Sequence, residues 1–258
     1  MINVKLQAHR GVSTDFPENT MSAFRGAVEQ GYEYIELDPA VTADGMIAVL
    51  HDSTINRTGR NADGSVVAEK VSISDITYAQ ALGYDYGIWF GDEFKDEKIP
   101  LLSEVFDYLK DKNVVVKIDN KMWRFPEERI IDIFSLAKEY GVKTGITCGT
   151  LESVYKTLEY FPEAEIHYDG AVSDEVLSEL SRRIEKERLT VWMPYKCELT
   201  SWVTTAFADE EICAKIKKCA KLGIWILSDY DQAQIAVDKF GADIIETTGS
   251  IKHKKKGN

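Results

Sequence analysis

Eight short apolar runs recur along this chain, centred near residues 6, 35, 116, 146, 166, 191, 226 and 245. An amphipathic, helix-period stretch follows each of the first seven: 20–30, one opening at Pro100, 126–139, 151–160, 173–186, 209–222 and 232–240. Strands that alternate with helices imply a parallel sheet, and eight such units imply that the sheet closes into a (β/α)8 TIM barrel, an α/β fold. A ninth extended run, 47–51, follows Asp44-Gly45, a strong hairpin signal. It therefore reads as an antiparallel β-hairpin arm on the second strand rather than a barrel strand. The length of 258 residues suits one domain over 1–258. Residues 52–100 are rich in Asp, Gly and Ser and include Trp89 and Phe90. That is too long for a bare loop, so a small capping insertion over the barrel mouth is expected, with a short helix at 74–82.

The second strand carries the first chemical signal. Strand alternation puts Tyr34, Glu36 and Asp38 on one face. Two carboxylates on a buried face repel each other unless opposite charge is supplied, and a hard divalent cation is the simplest source. If Asp44 and Gly45 are the two turn residues, paired residues sum to 89 and Asp38 faces His51, at a Cβ separation of about 4.5–5.5 Å. His9 ends the first strand. A lone histidine there would be a rim residue, but His51 beside the carboxylates makes the pair functional. On the third barrel strand Lys117, Asp119 and Lys121 share a face, an excess of charge for a barrel interior unless it serves the site. A strand-end salt bridge of Asp119 with either lysine is the alternative.

His9-Arg10-Gly11, Pro17-Glu18-Asn19-Thr20, Glu36-Leu37-Asp38, Asp44-Gly45 and His51-Asp52 with Arg57-Thr58 resemble the glycerophosphodiester phosphodiesterase family in order and spacing. The resemblance reads as covering nearly the whole chain. It implies the same barrel and metal-dependent hydrolysis of small-molecule glycerophosphodiesters to glycerol phosphate and an alcohol. It also implies that Glu36, Asp38 and Asp119 hold one Mg2+ or Ca2+ and that His9 and His51 share acid/base catalysis. Arg10 and Lys121 would neutralise the phosphate. Trp225 matches a family tryptophan near the pocket, or is a buried barrel residue. Asp119-Asn120-Lys121 keeps the acid-x-Lys spacing of the family's Glu-x-Lys with a shorter acid. The late strands depart further, with Trp225-Ile226-Leu227-Ser228 and Glu246-Thr247-Thr248-Gly249, which leaves the headgroup more open than the chemistry. Two alternatives stand beside this reading: a phospholipase-D-like lyase releasing a cyclic phosphate, and a non-catalytic phosphodiester-binding barrel. Glu18 and Asn19 open a helix, as caps or, second, as substrate contacts. His167 is expected to be structural, and His253 lies in a basic, frayed tail that starts at Lys252.

The net charge of −12 argues against nucleic acid or an anionic membrane as the main partner. Four cysteines without a C-x-x-C pair suggest reduced thiols in a cytoplasmic protein. The N-terminus is expected to enter a strand without a signal peptide, and no run reaches the roughly 20 apolar residues of a transmembrane helix.

Overall fold

The structure is a computed structural model that describes residues 4–253. The expectations for the first three residues and for Lys254, Lys255 and Lys256 fall outside that range. The first half of the chain contains β1 (Lys5–Ala8), α1 (Met21–Glu29), β2 (Tyr34–Leu37), β3 (Pro39–Val41), β4 (Ile47–Val49), α2 (Tyr78–Ala81) and α3 (Leu102–Leu109). Strand and helix then alternate as β5 (Val115–Ile118), α4 (Glu127–Tyr140), β6 (Thr144–Cys148), α5 (Leu151–Tyr160), β7 (Glu165–Tyr168) and α6 (Asp174–Arg183). The series ends with β8 (Leu189–Pro194), α7 (Glu210–Cys219), β9 (Lys221–Leu227), α8 (Tyr230–Asp238) and β10 (Ile244–Thr247).

Eight parallel strands close in the order β1-β10-β9-β8-β7-β6-β5-β2, a TIM barrel. All eight expected runs are barrel strands. The main apolar core lies between the barrel wall and the helices, where Leu6, Ile35, Val116, Ile146, Ile166, Val191 and Ile224 meet helix residues such as Phe24, Phe106 and Phe134. The barrel interior is different, because it holds rings and charges. Trp192 fits there because residue 223 is glycine; a Cβ at that position would come within 2.4 Å of the indole. Gly145 makes the same room for the His167 ring, which a Cβ would approach to 2.6 Å.

β3 and β4 form a separate antiparallel pair, so the run at 47–51 does leave the barrel. The register needs correction. Pro39 pairs with Val49 and Val41 with Ile47, so partners sum to 88 and Asp38 faces Leu50, whose N–H donates to the Asp38 carbonyl at 2.9 Å. The cause is a three-residue loop: Thr42 pairs with Met46, and Gly45 takes the left-handed φ of 78° that ends such a loop.

Residues 52–100 pack against this arm over a small core of their own, including Leu50, Ile55, Val67, Ile73, Tyr86 and Ile99. The expected helix at 74–82 is split. Ile76 is extended, and Thr77 accepts from the Gln80 N–H, so its cap starts α2 afresh after a 3-10 turn at Ile73–Asp75. Pro100 does not open α3, because the chain there is still extended against the arm and its carbonyl accepts from Val49. α8 starts two residues before the expected 232, where Asp229 accepts from the Gln232 N–H. The tail also differs from expectation: Lys252 Nζ meets Asp15 at 2.5 Å and His253 Nε2 meets Glu33 at 3.0 Å.

Candidate active site

The C-terminal strand ends surround a cavity of about 390 Å³ that His9, Arg10, Glu36, Asp38, His51, Asp119, Lys121 and Trp225 all line. Every residue singled out for the site from sequence therefore reaches one cavity. The insertion does not cap it: none of residues 52–100 is among its lining residues, and the far rim is covered instead by Trp202 from the loop after β8.

Local backbone sets the first of these residues. Arg10 is left-handed at φ 60°, a costly state for a side chain with a Cβ, and this turns its N–H onto Glu36 Oε2 at 2.8 Å. Gly11 follows at φ 77°, where a Cβ would strike Ala23 at 2.7 Å. Asn19 is also left-handed, which asparagine tolerates well. It is not the cap of α1, a place taken by Thr20. Its side chain instead donates to Asp38 Oδ2 at 2.8 Å.

Glu36, Asp38 and Asp119 each offer an oxygen, and the three oxygens lie within 4.8 Å of one another. Burial, then the charges of Asp38, Asp119 and Glu246, push the Glu36 carboxyl well above the usual carboxylate range. Burial and then Asp38 push Asp119 upward too. At Asp38 burial acts the same way, but Lys121 and Arg10 outweigh it and hold the group low. Lys121 Nζ lies 2.7 Å from Asp38 and Arg10 Nε lies 3.4 Å from it. A hard divalent cation fits this cluster: the donors are all oxygen, they converge, and the local cations do not relieve Glu36 and Asp119. The alternative for Asp119, an ion pair with Lys117 or Lys121, is not formed; Lys121 Nζ goes to Asp38 instead. Lys117 points into the barrel, 3.2 Å from Glu246 and 4.1 Å from the Trp192 ring centroid. The backbone N–H of Lys121 does cap Asp119 Oδ1 at 3.0 Å.

The two histidines have different surroundings. Burial lowers His9 to about 4, against the opposing charge of Glu246, so its imidazole is neutral near pH 7. His51 Nδ1 lies 2.5 Å from Asp52 Oδ1. Burial raises Asp52, but Arg57 and His51 overcome it and bring the group down to about 2. Arg57 also forks onto both oxygens of Glu18 at 2.8 Å, and Glu18 accepts from Arg10 at 2.9 Å. One charged chain thus runs Arg10–Glu18–Arg57–Asp52–His51 and ties the arm side of the mouth to the end of β1.

Several groups at this mouth escaped the sequence reading. Glu246 is buried and lines the same cavity. Asp169, just past β7, is lifted to about 6 by burial and accepts from Asn120 at 2.9 Å. Its place at a C-terminal strand end was the available signal. Trp225 lines the cavity and packs against the inner cluster of Tyr34, Val115, Trp192 and Ile244, with the exposed Trp202 ring 6.1 Å away. His167 accepts from Trp192 Nε1 at 3.0 Å inside the barrel, away from the mouth. All four cysteines are free, and burial raises the Cys148 thiol to about 12.

Fold and site together define a TIM-barrel protein with its polar chemistry gathered at the C-terminal strand ends. Residues 9–134, just under half of the chain, match the glycerophosphoryl diester phosphodiesterase family. A glycerophosphodiester phosphodiesterase of Caldanaerobacter subterraneus subsp. tengcongensis is 44% identical over 114 residues, 44% of each chain. The Bacillus subtilis protein YqiK, described as uncharacterized, is 30% identical over 185 residues, 70% of this chain and 71% of that one. An Oleispira antarctica phosphodiesterase, solved in complex with the product sn-glycerol-3-phosphate, shares the fold with a TM-score of 0.74. It is 20% identical, over 95% of this chain and 93% of that one. The chain belongs to the glycerophosphoryl diester phosphodiesterase family. The match spans less than half of the Caldanaerobacter relative's length. The family model matches as far as residue 134, the likeness to YqiK covers 70% of the chain and the fold likeness to the Oleispira structure covers 95%.

Proposed function

We propose that this domain is a metal-dependent phosphodiesterase that hydrolyses glycerophosphodiesters to glycerol phosphate and an alcohol. The observation that carries the reading is the convergence of Glu36, Asp38 and Asp119 in one cavity with His9 and His51. The names of the Caldanaerobacter and Oleispira relatives support it.

In this reading Glu36, Asp38 and Asp119 hold one Mg2+ or Ca2+. Such an ion, when bound, polarises the phosphoryl group and stabilises charge developing on it. Neutral His9 takes the proton from the attacking water. His51, whose Nδ1 lies 2.5 Å from Asp52 Oδ1, delivers a proton to the leaving alkoxide through Nε2. Arg10 and Lys121 neutralise phosphate oxygens, the first with a fork and the second as a point charge. Trp225 supports the headgroup.

The test is turnover of glycerophosphodiesters with different headgroups in the presence of Mg2+ or Ca2+, followed by phosphorus NMR. The expected product is the glycerol phosphate monoester. A cyclic phosphate as end product would replace the hydrolase with a lyase. No turnover of any diester, with metal bound, would leave a binding barrel.

A further inference from the structure

We infer that the Lys117 ammonium is a built-in counter-ion standing where a second divalent ion would otherwise bind, so that this chain holds its site to one ion. The inference deepens the metal-dependent reading and rests on it. Lys117 Nζ lies 3.2 Å from Glu246 Oε2, and both residues are buried and line the cavity that holds the carboxylate cluster. The β2–β5 register sets Lys117 directly beside Glu36, and strand alternation puts Asp119 on the same face as Lys117. The cation therefore belongs to the same group of side chains as the proposed ligands.

The surroundings of Lys117 are those of an ion. Burial opposes its charge, but Glu246, Glu36, Asp169 and Asp119 outweigh burial and raise its hold on the proton. The Trp192 ring lies 4.1 Å from its Nζ and supports the charge from one side. Gln7 sits opposite Glu246 in the β1–β10 register, and its Nε2 donates to that carboxylate. The Gln7 Oε1 is buried without a partner. Glu36, Glu246 and this orphan amide oxygen are the kind of donors a hard cation takes, and the ammonium stands in its place. Among the described residues Lys117 is the one ion-pair partner of Glu246, so its removal leaves that carboxylate uncompensated. The charge of the whole cavity agrees. Five carboxylates line it against four cations, Arg10, Lys117, Lys121 and Arg124. One divalent ion and one phosphodiester monoanion together neutralise that excess, whereas a second divalent ion would leave a buried double positive charge. Two-metal sites meet both the attacking and the leaving oxygen with an ion. A one-ion site leaves one of them to a proton, the task given to His51 above.

The experiment counts bound ions and does not depend on turnover. The full chain is stripped with EDTA and titrated with Mn2+, and the free ion is followed by its electron paramagnetic resonance. Wild type should bind one Mn2+ per chain and Lys117→Met two, with the second lost again when Glu246→Leu is added. A merely structural role for Lys117 would change the melting temperature and leave the count at one. Lys117→Gln keeps a donor for Glu246 without the charge, and gives the same comparison if Lys117→Met fails to fold. One ion in both the wild type and the folded single variant overturns the proposal. So do two ions in the wild type or in the double variant. If the wild type binds none, the metal-dependent reading falls by itself. One ion in the single variant then still supports Lys117 as the occupant of an ion's place, and none in either overturns it.

Discussion

Replacing Asp52 by Asn tests the division of labour between the histidines most directly. Asp52 Oδ1 lies 2.5 Å from His51 Nδ1 and orients the ring, so that Nε2 faces the cavity in the proposed role. Asparagine keeps the shape and removes the charge. Arg57 remains placed by its fork onto Glu18, so the change is confined to the His51 end of the ion chain. A hydrogen bond to a charged group contributes about 1.5–3 kcal/mol, which converts to a loss of about 10–150-fold in kcat if all of it is expressed in the transition state. The loss should depend on the leaving group. Choline is a poor leaving alcohol that needs a proton, whereas 4-nitrophenolate leaves without one. With glycerophosphocholine, followed by released choline, the full loss is expected. With the 4-nitrophenyl diester of glycerol phosphate, followed by absorbance, it should shrink to a few-fold. Equal losses on both substrates would refute His51 as the acid, and a larger loss on the nitrophenyl ester would exchange the two roles. Thermal melting of the variant separates either result from misfolding.

Asp119→Asn should weaken Mg2+ binding by about tenfold or more in calorimetry, since even an outer partner of a metal site costs that much, and excess metal should restore part of the rate. Unchanged affinity would leave a two-carboxylate site. Lys117→Met strands the buried Glu246 carboxylate and should cost about 3–5 kcal/mol in thermal or denaturant unfolding, whereas Lys117→Met with Glu246→Leu should recover most of it. A loss below about 1 kcal/mol in the single variant would mean that Glu246 is stabilised by other groups. His167 binds its proton less readily in the fold, at about 4 against an ordinary 6.5. The unfolded chain therefore takes up the extra proton between those values. Its stabilising contribution is complete above pH 6.5 and is lost as pH falls toward 4, a change on the order of 3 kcal/mol. Asp169, raised to about 6, acts in the opposite sense over part of that window. The test is thus the difference in unfolding free energy between wild type and His167→Asn, which should narrow on acidification. A constant difference would show that His167 keeps its ordinary proton affinity.

The barrel was legible because its strands are buried on both faces and read as apolar runs, which neighbouring Gly and Pro residues punctuate. The carboxylate cluster was legible because Glu36 and Asp38 share a strand face and Asp119 keeps a fixed distance from Lys121. The hairpin register was not, because Asp-Gly serves both two-residue and three-residue loops, and nothing local distinguishes them. The one-residue error moved His51 off the position opposite Asp38, yet Lys121 still reaches both, bonding the Asp38 carboxylate and the His51 carbonyl. Glu246 and Asn19 were missed for another reason. Each meets its partner across a closed circle of strands or through a left-handed loop, and those approaches exist only in three dimensions. The insertion carried turn residues and scattered apolar ones without a period, so its own core could not be drawn in advance.

β2 stops at Leu37 and β3 begins at Pro39, so a single residue, Asp38, joins the barrel wall to the arm. The proline after it confines that residue to extended backbone. The joint between arm and barrel is thereby itself a carboxylate of the acidic cluster. Any shift of the arm relative to the barrel wall would have to pass through the Asp38 backbone. Were an ion held at Asp38, linkage would make the effect reciprocal: whatever displaced the arm would change the affinity for the ion by the same factor that the ion changed the affinity for it.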